Sequence, residues 1–144
     1  MKILVINGPN LNFLGRRDPK QYGTETYATL CEKIERAAKE KGDTVELFQN
    51  NCEGAIIDRL QAAYDDGTEG IVINPGAYTH YSYAIRDALE VLSIGKVEIH
   101  ISDIHSREEF RSVSVTAPVC DKQIVGMGTD GYLLAMEALH ELKK

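Results

Sequence analysis

Three stretches of this sequence gather tyrosine, histidine, arginine and asparagine, residue types that bind polar substrates and move protons. The first, NGPNLNFLGRRDPKQYG at 7–23, follows an apolar run and holds Arg17 and Tyr22 together. The second is NPGAYTH at 74–80, and the third is EIHISDIHSREEFR at 98–111. The first stretch is much longer than the ~4–6 residues of an ordinary connection, which is typical of a functional loop. Because a guanidinium favours the charged form of a nearby tyrosine, this loop predicts a base for proton abstraction.

The third stretch begins as a strand in which alternate side chains face opposite sides. Its apolar residues would lie on one face, and Glu98, His100 and Ser102 on the other. One interpretation is a buried Glu–His pair that satisfies its own hydrogen bonds. The other is that Glu98 orients His100 and fixes its tautomer for acid–base work.

Other polar residues of the three stretches have equally plain explanations when each is considered alone. Asn74 could cap the end of a strand, and Arg16 and Arg17 could be solvated loop charges. Glu98, His100, Asp103 and His105 are metal-ligand types, but their spacing matches no standard metal site. The joint placement of these residues favours a shared site over the separate plain explanations.

Alternating strands and helices must position these stretches. Strands are predicted at 2–7, 44–48, 70–74, 96–102 and 123–127, and helices at 25–41, 53–66, 81–92 and 130–142. Thr24 is the predicted N-cap of the first helix, and Gly42 is predicted to end that helix. A single helical turn is predicted at 108–111. This order predicts an α/β, flavodoxin-like, doubly wound five-stranded parallel sheet with helices on both faces. Ligands bind beyond the carboxyl ends of such strands, so residues 8–23, 74–80 and 101–111 should meet at one rim.

Composition narrows the class of protein. The 144 residues suggest one domain over 1–144, and the net charge of -6 argues against a nucleic-acid binder. The three cysteines are typical of reduced thiols in a cytoplasmic protein. No signal-peptide core or apolar run of ~20 residues indicates export or a membrane span.

Other functions of the same fold class were weighed on particular residues. GMGTDG at 126–131 matches a dinucleotide fingerprint, but the chain ends 13 residues later, so we interpret it as a tightly packed turn. A phosphate-accepting receiver needs acids where Asn7 and Asn74 stand. An FMN or nucleotide module would need a phosphate loop after the first strand, and a structural subunit would not need Arg17, Tyr22 and His100.

Taken together, these stretches and GMGTDGY closely resemble the type II 3-dehydroquinate dehydratase family over essentially the whole chain. The resemblance implies anti elimination of water from 3-dehydroquinate to 3-dehydroshikimate through an enolate, with no metal and no cofactor. It also implies a homododecamer of four trimers. Whether the enzyme would serve the shikimate pathway, and thus chorismate and aromatic amino acid biosynthesis, or quinate catabolism stays open.

The resemblance also implies roles for particular residues. The catalytic set is Tyr22 as base, Arg17 as its activator, Asn10 holding a water near the enolate oxygen, His100 as acid and Glu98 as its partner. The substrate-binding set is Asn74 and the backbone N–H groups of Ile101 and Ser102 for the carboxylate, His80 and Arg111 for ring hydroxyls, and Asp87 from a neighbouring subunit. The chain departs from the family at Cys52 and at Ser112-Val113, where histidines are common; neither position has a catalytic role.

Overall fold

The computed structural model describes residues 1–16, 18–22 and 24–143, and only the backbone of Tyr22. The strands are β1 (Lys2–Asn7), β2 (Thr44–Gln49), β3 (Gly70–Asn74), β4 (Gly95–His100) and β5 (Lys122–Val125). The helices are α1 (Pro19–Tyr22), α2 (Tyr27–Lys41), α3 (Glu53–Ala62), α4 (Tyr83–Val91) and α5 (Asp130–Leu142). None of these described helices is long and apolar enough to cross a bilayer.

The strands form one parallel sheet in the order β2-β1-β3-β4-β5. This is the flavodoxin-like order, so the predicted fold class is confirmed. The chain reverses its direction of winding between β1 and β3, and the loops that follow these two strands therefore diverge. A crevice opens where they diverge, at the carboxyl edge of the sheet.

Two apolar cores lie on opposite faces of the sheet. Helices α2 and α5 cover one face, where Leu30, Ile34 and Tyr132 pack against the sheet, and α3 and α4 cover the other. Every residue of β3 is buried, as expected for a central parallel strand of apolar residues. Glu98 and His100 point away from the α2–α5 core, which confirms the predicted alternation along β4.

Helix α2 begins later than the sequence predicts. Its N-cap is Thr26 rather than Thr24, because the Thr26 hydroxyl accepts a hydrogen bond from the Thr29 N–H at 3.1 Å. A threonine caps a helix only where it reaches one of the unpaired N–H groups of the first turn. The other end is as predicted, with Gly42 in the left-handed region at φ 75°.

Helix α3 ends at Ala62 and not at Asp66. The Asp66 carboxylate instead accepts hydrogen bonds from the N–H and hydroxyl of Thr68, which favours a turn over a further helical turn. Tyr64 lies beyond the end of the helix and is 67% exposed. Smaller differences are that β2 reaches Gln49, α4 spans Tyr83–Val91, β5 spans Lys122–Val125 and the turn before residue 112 spans Glu109–Arg111.

Strand β4 ends at His100, two residues before its predicted end. The carbonyls of Ile101 and Ser102 accept hydrogen bonds from the N–H groups of Gly128 and Gly126 in a turn. The backbone of residues 101 and 102 therefore lies at the carboxyl edge instead of inside the ladder. The segments that follow β1 and β3 meet there as well.

Gly8 shows how closely these two segments approach each other. Its N–H donates to the Asn74 carbonyl at 2.8 Å, and a Cβ at this position would lie 2.5 Å from the Pro75 carbonyl oxygen. Only glycine allows this contact between the loops after β1 and β3. The predicted meeting of the three stretches at one rim is thus confirmed.

Candidate active site

A cleft opens at the carboxyl edge, and most of the predicted site residues line it. It brings together Asn10 from the first stretch, Asn74 and His80 from the second, and His100, Ile101, Ser102 and Arg111 from the third. Glu98 lies directly behind His100. Arg17 and the side chain of Tyr22 lie outside the described residues.

Glu98 is a fully buried carboxylate at the back of the cleft. It accepts hydrogen bonds from His100 Nε2 at 2.9 Å, Gln123 Nε2 at 2.9 Å, the Ser114 hydroxyl at 2.8 Å and the Thr116 hydroxyl. Burial by itself would raise the pKa of Glu98, but these hydrogen bonds, led by that of His100, hold the pKa below its usual range. The carboxylate is therefore charged at neutral pH.

This charge determines the tautomer of His100. A carboxylate can only accept hydrogen bonds, so the Nε2 atom that faces Glu98 must carry the hydrogen. The other ring nitrogen, Nδ1, makes no hydrogen bond to the described part of the chain. The Glu–His pair thus satisfies the buried carboxylate and still leaves one nitrogen of a cleft-lining histidine for a ligand.

Cys120 is close enough to sense the same charge. Burial, together with the negative charge of Glu98, raises the pKa of this thiol to about 12. The sulfur therefore stays protonated at neutral pH and is not a nucleophile for covalent catalysis.

A cluster of hydroxyl groups links Glu98 to the second stretch. The Thr79 hydroxyl lies 2.8 Å from both the Ser114 and the Thr116 hydroxyl groups, and the Val115 N–H donates to the Thr79 carbonyl at 2.7 Å. The next residue, His80, places Nδ1 2.7 Å from the Val113 carbonyl. One network therefore positions both histidines of the cleft.

His80 is half-buried at the mouth of the cleft. Its burial lowers the pKa of the ring, and the nearby charges of His100 and Arg111 act in the same direction. A neutral imidazole has one nitrogen that donates a hydrogen bond and one that accepts, so it can accept from a substrate hydroxyl, whereas a cationic ring can only donate.

Asn74 caps the end of its strand and also lines the cleft. As a strand-end cap, its Oδ1 accepts the Gly76 N–H at 3.1 Å, and its Nδ2 donates to the Tyr132 hydroxyl at 3.0 Å. The Tyr132 hydroxyl in turn donates to Asn7 Oδ1 at 2.6 Å. One Nδ2 hydrogen of Asn74 remains for a ligand, and the amide is held in a single orientation.

Asn10 adopts a left-handed backbone conformation, with φ 70°, and is the non-glycine residue with positive φ among those described. Asparagine tolerates this region better than most residues, and such residues cluster at functional sites. The Asn51 side chain accepts the Asn10 N–H at 3.1 Å and helps to fix the turn. The exposed Asn10 side chain lies at the cleft.

The front of the cleft is built from backbone N–H groups and cations. The N–H groups of Ile101 and Ser102 donate to no other described residue. Arg107, which the sequence analysis left without a role, lines the cleft and donates to the Ser102 hydroxyl at 3.3 Å. Arg111 pairs with Glu108 and stacks over the Phe110 ring at 4.8 Å. A protein of net charge -6 therefore has a locally positive cleft.

Asp87 is the predicted site residue that the cleft does not include. It is exposed on α4, and it forms no hydrogen bond or ion pair with any residue that the structure describes. Its neighbour Arg86 donates to the Val115 carbonyl at 3.3 Å instead of pairing with it. Arg86 and Asp87 therefore form no ion pair with each other in the described structure.

Ser114, Thr116 and Gln123 were missed by the sequence analysis. Gln123 could have been found, because parallel β4 and β5 place it directly beside Glu98. Ser114 and Thr116 come from an irregular segment without periodicity, and no sequence signal indicates their contact with Glu98.

Two expectations about ligand motifs can be compared with the structure. The GMGTDG turn is closely packed, since a Cβ on Gly131 would lie 2.9 Å from Ile99 Cδ1. This confirms its interpretation as a packing motif. Among the described residues, no group of three or more histidine, cysteine, aspartate or glutamate side chains could hold a metal ion.

Comparisons with known proteins point to one family. The family model described as Dehydroquinase class II matches residues 1–140. The 3-dehydroquinate dehydratase of Lachnoclostridium phytofermentans is 63% identical over 139 residues, 96% of each chain, and that of Thermotoga maritima is 59% identical over 137 residues, 95% of this chain and 93% of the relative. The crystal structure of type II dehydroquinase from Butyrivibrio crossotus superimposes with a TM-score of 0.96, at 61% identity and 97% coverage of both chains.

The Thr116→Val substitution tests the charge on Glu98. The valine removes one donor to the carboxylate, so the free energy of unfolding at pH 7 should fall by about 1–3 kcal/mol. Because the folded pKa of Glu98 lies below its unfolded value, the stability it contributes is present above about pH 4 and is lost as the pH falls through the folded pKa.

The difference between the parent and Thr116→Val should therefore shrink below about pH 4 in urea unfolding curves recorded at fixed protein concentration. Thr44→Val, at an exposed position of β2, is the control and should change little at either pH. If Thr116→Val lowers the free energy of unfolding equally at pH 7 and below about pH 4, Thr116 does not stabilise a charged Glu98.

Proposed function

The chain belongs to the class II dehydroquinase family, and we propose that it dehydrates 3-dehydroquinate to 3-dehydroshikimate with His100 as the general acid. The enzyme is a hydro-lyase by family. The observation that carries the mechanism is the Glu98–His100 pair, which leaves the imidazole Nδ1 available in a positively charged cleft. The elimination proceeds with anti stereochemistry through an enolate.

The carboxylate of the substrate binds at the front of the cleft. The backbone N–H groups of Ile101 and Ser102, at a strand end, donate to no residue that the structure describes, and Asn74 offers its remaining amide hydrogen. Two adjacent N–H groups bind a carboxylate oxygen well because they need no side-chain ordering. Arg107, beside Ser102, adds positive charge, and His80 and Arg111 face the ring hydroxyls.

The base is Tyr22, activated by Arg17. These roles rest on the match of the first stretch to the family, since both side chains lie outside the described residues. A free tyrosine has a pKa near ~10, and a neighbouring guanidinium favours the phenolate. The phenolate takes the proton next to the ketone, and the C–H electron pair becomes the enolate.

The second half of the reaction breaks the carbon–oxygen bond. The enolate electrons form the ring double bond as the hydroxyl departs. The His100 imidazolium, which carries hydrogen on both ring nitrogens, gives its Nδ1 proton to that oxygen, so that water leaves and a neutral ring remains. Glu98 stabilises the imidazolium before transfer and keeps Nε2–H in place afterwards. Asn10, at the cleft, holds a water near the enolate oxygen and stabilises its charge.

The active enzyme is a homo-oligomer, a dodecamer of four trimers, in which Asp87 reaches a neighbour's cleft. Two observations support this arrangement. Asp87 is exposed without a partner among the described residues, and it lies outside the cleft of its own chain. An unpaired carboxylate can accept a hydrogen bond from a substrate hydroxyl across a subunit interface.

The reaction takes place in the cytoplasm, in the shikimate pathway for chorismate and aromatic amino acids or in quinate breakdown. The free thiols Cys31, Cys52 and Cys120 are typical of a reducing compartment.

The first test adds 3-dehydroquinate and follows the absorbance of the conjugated enone product. His100→Ala should lower kcat by about 10²–10⁴-fold, the usual contribution of a general acid, and should still bind 3-dehydroshikimate in calorimetry. His105→Ala, at an exposed histidine next to the site, is the control and should keep nearly full activity. A His100→Ala enzyme with most of its kcat would show that His100 is structural, and no product from the parent would refute the function itself.

The shared site is tested by mixing two weak variants. Asp87→Ala and Tyr22→Phe should each lose activity alone, but oligomers reassembled from both should recover part of it, because one interface then combines intact residues from two chains. A mixture of His100→Ala and Tyr22→Phe should stay inactive, since both groups serve the same chain's cleft. Verified mixed oligomers of the first pair without recovery would mean that Asp87 does not complete a neighbour's site.

A further inference from the structure

The end of the first loop is bound to the start of α5. Thr129 donates its hydroxyl hydrogen to Glu25 Oε1 at 2.8 Å, and Lys33 Nζ donates to the same hydroxyl at 3.0 Å. Lys33 also pairs with Asp130 at 2.6 Å and lies 3.8 Å from Glu25 Oε1. We call Glu25, Lys33 and Thr129 the latch. It joins the end of the first loop and helix α2 to the start of α5, 104 and 96 residues further along the chain.

Thr129 occupies the N-cap position of α5 but does not cap the helix. A threonine there normally accepts a hydrogen bond from an N–H of the first turn, and none is formed. Thr129 is only 7% exposed, and its hydroxyl forms hydrogen bonds with Glu25 and Lys33 instead. Within the described residues, the Glu25 carboxylate accepts this hydrogen bond through Oε1, and its other oxygen, Oε2, has no partner.

The residues before the latch depend on it for their position. Gly15 packs closely against Glu25, so that the two ends of this part of the loop are in contact: a Cβ at Gly15 would lie 3.1 Å from the Glu25 carbonyl oxygen. Between these two ends, a wide cavity lies beneath Pro19, Lys20 and Gln21, and its opposite wall is the turn at 126–129. The backbone hydrogen bonds of Lys20 and Gln21 are local and go to Asp18. Among the described residues, Gly15 and Glu25 at the two ends of this segment join it to the rest of the fold.

We propose that Thr129, together with Lys33, is a positioning residue for the catalytic base. The inference rests on the proposed role of Tyr22, the last residue of α1. Only two residues separate Tyr22 from Glu25, so their Cα atoms are at most ~10 Å apart, and a shift of Glu25 shifts the base relative to the cleft. An error of about 1 Å in the position of a reacting group lowers turnover by up to ~10²-fold. The GMGTDG turn thus also sets the position of Thr129, because the positive φ values of Gly126 and Gly128 determine the course of the backbone that leads to it.

The test compares two substitutions at one position. Thr129→Val keeps the shape and removes the hydroxyl, whereas Thr129→Ser keeps the hydroxyl. Thr129→Val should lower kcat about tenfold with a smaller change in KM, and Thr129→Ser should stay within about twofold of the parent. Lys33→Met should resemble Thr129→Val, and Lys39→Met, on the exposed side of the same helix, should match the parent.

A second readout does not depend on activity. Tryptic cleavage after Lys20, followed by mass spectrometry, should be about tenfold faster in Thr129→Val than in the parent or in Thr129→Ser, at equal thermal stability. Unchanged cleavage in Thr129→Val, or a loss of kcat that serine does not restore, would overturn the proposal. If Thr129→Val is cleaved faster but Tyr22→Phe keeps full activity, the contact between Thr129 and the loop stands, and the proposed role of Tyr22 as the base is refuted.

Discussion

The charged carboxylate of Glu98 is the feature on which the arrangement of this site depends. A fully buried carboxylate is costly unless donors surround it, and here four donors come from β4, β5 and the segment between them. Removing any of these donors would leave the charge less well compensated. The carboxylate therefore holds the back wall of the cleft together. Such buried ions are weak evidence of stability, but they specify one geometry for the groups that bind them.

Topology explains where this wall becomes useful. The sheet order separates the loops after β1 and β3, and Gly8 holds them in contact at their base. Strand β4 ends beside that opening, so His100 and the unpaired backbone N–H groups of the next two residues face the same crevice. The proposed acid and the proposed anion-binding groups thus come from one short run of chain. The site needs no large conformational change to bring them together.

How far the sequence predicts this molecule depends on the kind of signal each part carries. Buried strands and α5 are predictable because apolar runs and helical periodicity extend over whole elements, and α5 has its predicted bounds. Helix starts are less predictable, because Thr24 and Thr26 are both good caps and tertiary geometry decides which one is used. Alternation along β4 predicts that Glu98 and His100 share a face. It cannot predict that Ser114 and Thr116 fold back onto them, since nothing local in an irregular segment encodes a distant contact.

The protonation of the His100 ring tests the central claim most directly. In protein with ¹⁵N-labelled histidine, long-range ¹H–¹⁵N spectra distinguish the two ring tautomers of all four histidines. The account predicts that neutral His100 carries its hydrogen on Nε2, and that Glu98→Gln shifts or mixes this tautomer while His105, which is exposed, keeps its spectrum. A neutral His100 with its hydrogen on Nδ1 in the parent protein would contradict the claim that a charged Glu98 accepts the Nε2 hydrogen and thereby orients the ring.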